Sequence, residues 1–193
     1  MKKNRLEAFS DGVVAIIITI MVLELKAPVH NGDIKALVPL LPVFLSYLLS
    51  FVYVGIYWNN HHHMFLLVDS ITGGALWANL NLLFWLSLVP FVTQWMGDNH
   101  FSQWPVAVYG MVLIMAALSY TLLYWILAIH CGKNSKLYEA IGKDWKGMTS
   151  LGIYAVAIAC TFYDSRIGMA LYAVVAVMWF IPDRRVEKQV TGE

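Results

Sequence analysis

Charge is scarce in this sequence. Only 13% of its 193 residues are Asp, Glu, Lys or Arg, against roughly 25% in a soluble domain. With 60% hydrophobic residues, a chain of this length cannot hide its apolar surface from water. A soluble globular fold is therefore excluded. Disorder is excluded too, because it needs low hydrophobicity and high net charge. The formal net charge is +1, which leaves no basic field for a nucleic acid, and none is expected as a partner. Two cysteines, Cys131 and Cys160, build no disulfide framework. The sequence holds no H-E-x-x-H zinc motif and no visible pairing of a nucleophile with a base. It is therefore not read as an enzyme, and no cofactor is expected.

What is present is apolar length. About 20 apolar residues cross a bilayer as a helix, and six such stretches can be marked: 9–25, 36–58, 71–95, 105–130, 148–163 and 167–181. They define an all-α membrane protein with one six-helix domain, 1–193, short loops and no separate soluble domain. The second stretch carries Pro39 and Pro42 in its first turns, where the early amides have no helical partner to lose. Asp164-Ser165-Arg166 reads as a tight hairpin between the last two spans. The first stretch is not read as a cleaved signal peptide. Glu24 interrupts it, and no small-residue cleavage site follows Leu25.

Lysine and arginine set the expected orientation. Ten lie in segments on one side (Lys2, Lys3, Arg5; Lys133, Lys136, Lys143, Lys146; Arg184, Arg185, Lys188), and three (Lys26, Lys35, Arg166) on the other. The bias predicts a multi-pass cell-membrane protein with both termini in the cytoplasm. The cluster Lys133, Lys136, Lys143 and Lys146 could meet anionic lipid head groups, and the positive-inside bias explains it equally well.

The span centres lack ionisable side chains, and the histidines fall in loops or at span ends. That argues against a pump or secondary transporter, which buries a carboxylate at mid-depth. A small-solute or proton-coupled transporter stays as the alternative reading. An ion path can instead be lined by apolar and hydroxyl groups. At about 100° per residue, Gly12, Thr19, Ile20 and Leu23 fall within about 60° of Ile16 on the first helix. Several copies of that face around an axis would stack apolar rings, which gate by dewetting, with a hydroxyl ring between them. Ile17 and Ile18, about 100° and 200° round, serve as internal controls.

The start of the chain carries a motif, Arg5-x-x-x-Phe9-Ser10-Asp11. Ser10 or Asp11 could cap the helix. Alternatively Asp11 joins a buried polar network with Trp58, with His61, His62 or His63, or with Asn79 or Asn81. Three adjacent histidines point about 100° apart and cannot chelate a metal from one helix face. This motif, the stretch from Trp58 through His61 and His62 to Phe65, and Asn81-Leu82-Leu83 resemble the transmembrane-protein-175 family. That family comprises endolysosomal potassium channels and bacterial relatives. The resemblance covers essentially the whole chain.

The resemblance implies a non-canonical potassium channel fold without a P-loop filter. It implies a homotetramer, since animal members carry two six-helix units per chain and this chain carries one. First helices line the pore, with Ile16 as the hydrophobic constriction and Thr19 and Leu23 in the narrow part. Arg5, Ser10 and Asp11 would hold helices together at the cytoplasmic side without touching ions. Monovalent cations would be the permeant species, with potassium only weakly preferred over sodium.

Overall fold

The computed structural model describes residues 3–29, 32–135, 137–138 and 145–180. Among the described residues there is no β-strand element, and the chain crosses back and forth in six helical segments. Helix α1 spans Asn4–Leu23. A 3-10 turn, Ile34–Leu40, is capped by Asp33, whose carboxylate accepts from the Lys35 amide at 3.0 Å. It leads into α2, Leu41–Leu66, with Pro42 in the first turn. Helix α3 is Gly73–Ser87, capped by the Thr72 hydroxyl accepting from the Ala75 amide. Helix α4 is Val89–Asp98. Helices α5, Gln103–Cys131, α6, Trp145–Thr161, and α7, Ser165–Phe180, complete the described fold.

Helices α3 and α4 form one 26-residue apolar passage, Gly73–Asp98, broken at Leu88. Pro90 opens α4. It has no amide to donate back along the axis, so the helix breaks where the proline needs it to. Among the described residues, four helical stretches are long and apolar enough to cross a membrane; α6 and α7 have 17 and 16 residues.

Several boundaries differ from the sequence expectation. Helix α1 starts at Asn4 rather than near Phe9, because Arg5, Leu6, Glu7 and Ala8 are good helix formers although not an apolar run. Helix α2 continues past Trp58 through the histidines to Leu66. The last connection is Phe162-Tyr163-Asp164, with Ser165 and Arg166 already inside α7; the Asp164 carboxylate accepts from the Arg166 amide at 2.8 Å. Ile181, the expected end of the sixth span, lies outside the described residues.

Helix α1 packs on α2, α3 and α4; α3 packs on α5; and α6 packs on α5 and α7. The centre of the bundle is dense with tyrosine. Tyr109 and Tyr172 are fully buried and Tyr53 nearly so. Their hydroxyls make cross-helix bonds: Tyr53 Oη donates to the Tyr172 carbonyl at 2.7 Å, and Tyr172 Oη to the Val106 carbonyl at 3.2 Å. Thr93 Oγ1 donates to the Val89 carbonyl at 2.6 Å, its oxygen pairs with Ser50 Oγ at 2.7 Å, and Ser50 pairs with Tyr109 Oη at 3.0 Å. A buried polar group must find a partner where no water reaches, so these bonds tie α2, α4, α5 and α7 together.

Candidate functional site

The two sides of α1 have different fates. Leu6, Ser10, Val14, Ile17 and Met21 are buried, and their spacing of three and four residues makes one stripe facing the bundle. The other side is uncovered. Ile16 is 60% exposed, Leu23 71% and Ile20 42%; Gly12 and Thr19 are exposed as well. The five residues grouped by helical angle therefore lie on one open face. A second edge runs beside them, made of the small residues Ala8, Gly12, Ala15 and Thr19. Small edges let neighbouring helices approach closely in a membrane. Arg5 and Phe9 are exposed and belong to the same side. The two control positions part company: Ile17 is 3% exposed, whereas Ile18 is half-buried.

Thr19 Oγ1 donates to the Ala15 carbonyl at 2.8 Å. Its hydrogen is thereby committed inside the helix. What the hydroxyl offers outward is oxygen lone pairs, a surface that accepts but does not donate.

The motif sits within the helix, not at its cap: Ser10 and Asp11 lie more than a turn inside α1, whose N-cap is Lys3. Ser10, not Asp11, is the buried member. Ser10 Oγ donates to the Leu6 carbonyl at 2.8 Å, so its oxygen accepts from Asn79 Nδ2 at 2.9 Å. Asn79 Oδ1 then faces His61 Nε2 at 2.8 Å. A carbonyl oxygen can only accept, so His61 Nε2 carries the hydrogen, and the network assigns the tautomer. This chain of bonds joins α1, α3 and α2. His61 is 7% exposed inside α2, which corrects its placement at a span end.

Asp11 is exposed and accepts from Trp58 Nε1 at 2.9 Å. Trp58 in turn stacks on His62, ring centroids 6.2 Å apart. Asn81 does not join the motif. Its Nδ2 donates to Ser119 Oγ at 2.7 Å and ties α3 to α5 instead. Asn79 and Asn81 are two residues apart, about 200° round a helix, so they cannot serve one network.

Sequence reasoning missed Lys3, which it counted only as a charge. Lys3 Nζ donates to the Phe65 carbonyl at 2.7 Å and closes the C-terminal end of α2 against the start of α1. A basic group near the last carbonyls of a helix is the signal that could have found it. Among the described residues, no three His, Cys, Asp or Glu side chains come together to hold a metal.

Residues 5–90, which hold α1, α2 and α3, match the family described as endosomal/lysosomal potassium channel TMEM175. A protein named a potassium channel from Chryseobacterium sp. (strain P1-3) is 55% identical over 191 residues, covering 98% of each chain. The chain belongs to the TMEM175 family. The human endosomal/lysosomal proton channel TMEM175 is 37% identical over 83 residues, 37% of this chain and 16% of the human one. The crystal structure of a lysosomal potassium-selective channel TMEM175 homolog from Chamaesiphon minutus superposes with a TM-score of 0.81 at 30% identity. It covers 93% of this chain and 96% of its own. The architecture is thus the six-span TMEM175 channel fold, a family of channels and not of enzymes.

Proposed function

We propose that this chain is a potassium-permeable cation channel in which four copies surround one axis and line it with the open face of α1. The observation that carries this reading is that face itself. One side of α1 is buried in its own subunit, while Gly12, Ile16, Thr19, Ile20 and Leu23 are left uncovered. The family membership supports the same assignment. Four Ile16 side chains meeting on the axis exclude water and close the path to an unhydrated ion. Three residues further along, about 4.5 Å at 1.5 Å per residue, four Thr19 oxygens face inward with their hydrogens turned away. Such a ring accepts from water and coordinates cations, and it has no donor for an anion. One ring replaces only part of a hydration shell, hence a weak preference for potassium over sodium. Leu23 forms the next apolar layer.

Lys3, Lys133 and Lys146 lie at the end of the bundle that holds the α1 N-terminus. By the positive-inside rule that end is cytoplasmic, and the proposal is a cell-membrane protein with both termini on that side.

The test is potassium flux from liposomes loaded with the purified protein. A channel gives passive flux that does not saturate steeply and that rises in Ile16→Asn, where an amide ring wets the constriction. Saturable flux coupled to a second gradient would favour a small-solute or proton-coupled transporter instead. A protein that carries no flux as wild type or as Ile16→Asn is not a channel.

A further inference from the structure

The bundle holds a cavity that the channel face does not use. It has a volume of about 50 Å³ and lies between α2, α5, α6 and α7, toward the end that carries the α1 N-terminus. No residue of α1 lines it, so its chemistry is independent of the pore assignment. Its walls are the rings of Tyr53, Tyr57, Tyr120 and Tyr154, with Thr121 and Ser150 between them.

The hydrogen bonds on those walls decide what can enter. Thr121 donates to the Ala117 carbonyl at 3.0 Å, Ser150 to the Lys146 carbonyl at 2.8 Å, and Tyr53 to the Tyr172 carbonyl at 2.7 Å. These hydroxyls have committed their hydrogens to backbone, and what remains to them is acceptor oxygen, Ser150 already accepting one bond from Trp179 Nε1 at 2.8 Å. Tyr57 differs. It lines the cavity, and among the described residues no hydrogen bond reaches its hydroxyl. An unpaired hydroxyl within a membrane bundle is costly, so a guest that accepts from Tyr57 or donates to the neighbouring oxygens is favoured.

Three classes of guest fail. An anion finds acceptors rather than donors. A bare cation would have to leave its hydration shell for a few neutral oxygens inside the membrane, a desolvation they do not offset. A lipid chain or an aromatic ring needs more volume. Room remains for roughly two or three waters at about 15–30 Å³ each, or for one small molecule with a hydroxyl and a short apolar stem. The aromatic faces favour the second, since pockets of this kind bind through apolar walls and a few placed polar groups.

We propose that this cavity is a binding site for a small neutral alcohol. Its hydroxyl engages Tyr57 and Thr121, its alkyl stem lies on the tyrosine rings, and water holds the place otherwise. The probe is 2-fluoroethanol at millimolar concentration with the purified protein in detergent, read by ¹⁹F line width. Wild type should broaden the line beyond empty micelles, and excess ethanol should restore it. Tyr57→Phe removes the unpartnered hydroxyl without changing shape and should cut the excess broadening several-fold. Thr121→Leu fills the space and should abolish it, while Leu122→Ala, on the exposed side of α5, should match wild type. Equal broadening by all four proteins, or no recovery with ethanol, would mean partition into the micelle and overturn the site. No broadening by wild type would mean that water alone fills the cavity, and would overturn it equally. Should Thr121→Leu aggregate, the Tyr57→Phe comparison and the ethanol competition still decide.

Discussion

Asn79 shows how much one side chain can carry. It is 1% exposed and uses both ends of its amide, one on Ser10 and one on His61. Asn79→Leu leaves the His61 N–H without an acceptor and Ser10 without a donor in a dry site. Each unpaired group costs about 1–3 kcal/mol. Trp58→Phe breaks the bond to Asp11, but in an exposed place where water can substitute, so about 0.5–1.5 kcal/mol is the ceiling. Thermal unfolding in detergent should therefore rank Asn79→Leu well below Trp58→Phe; the reverse order would show that the motif is held through Asp11. Thr19→Val belongs to the same scale. It keeps the shape and removes the outward oxygen, so current should persist while potassium preference over sodium falls. Reversal potentials under bi-ionic conditions in planar bilayers check this.

Among the elements, close approach is concentrated at particular glycines. A Cβ added to Gly97 in α4 would stand 2.7 Å from the Cα of Val43 in α2, a backbone atom that cannot swing aside. Gly97→Ala should then cost about 1–3 kcal/mol as overpacking. Gly152 in α6 meets nothing within 4 Å. There Ala replaces a poor helix former, and stability should rise by up to about 1 kcal/mol. Melting curves of the two variants should move in opposite directions. The hairpin between α6 and α7 obeys the same logic: a Cβ on Gly168 would stand 3.1 Å from the Ala157 carbonyl, so glycine lets the two short helices touch.

For the whole molecule, the open face of α1 has to be covered by lipid or by copies of itself. Leu23→Cys, with Cys131 and Cys160 changed to Ser, should cross-link between subunits under mild oxidation, whereas Ile17→Cys, 3% exposed, should not. Cross-linking of Ile17→Cys but not of Leu23→Cys would turn the helix round. Conductance offers a second check. Ile16→Asn should raise resting current, and Ile18→Asn should leave it nearly unchanged. Ile17 is not a useful control for conductance, because an amide at that buried place would unfold the subunit before it reported on the pore.

Composition and periodicity by themselves determined the membrane class, the six apolar passages and the angular grouping of Ile16 with Thr19 and Leu23. The reason is that apolar length and a helical repeat are one-dimensional properties, written in consecutive residues. Helix ends were less legible. Asn4 to Ala8 and Asn59 to His63 continue their helices without being apolar, so a reading of hydrophobic runs stops short of them. Only the tertiary structure decided which polar residues meet. Asn79 and Asn81 look alike in sequence; one faces Ser10 and His61, the other Ser119. Likewise Ser10 is buried and Asp11 is not, because the packing of α1 against α2 and α3 sets the rotation of the helix. Partner choice depends on the angle and depth at which three helices cross. Those are set by the sum of all their contacts, and no single residue's neighbours in the chain record them.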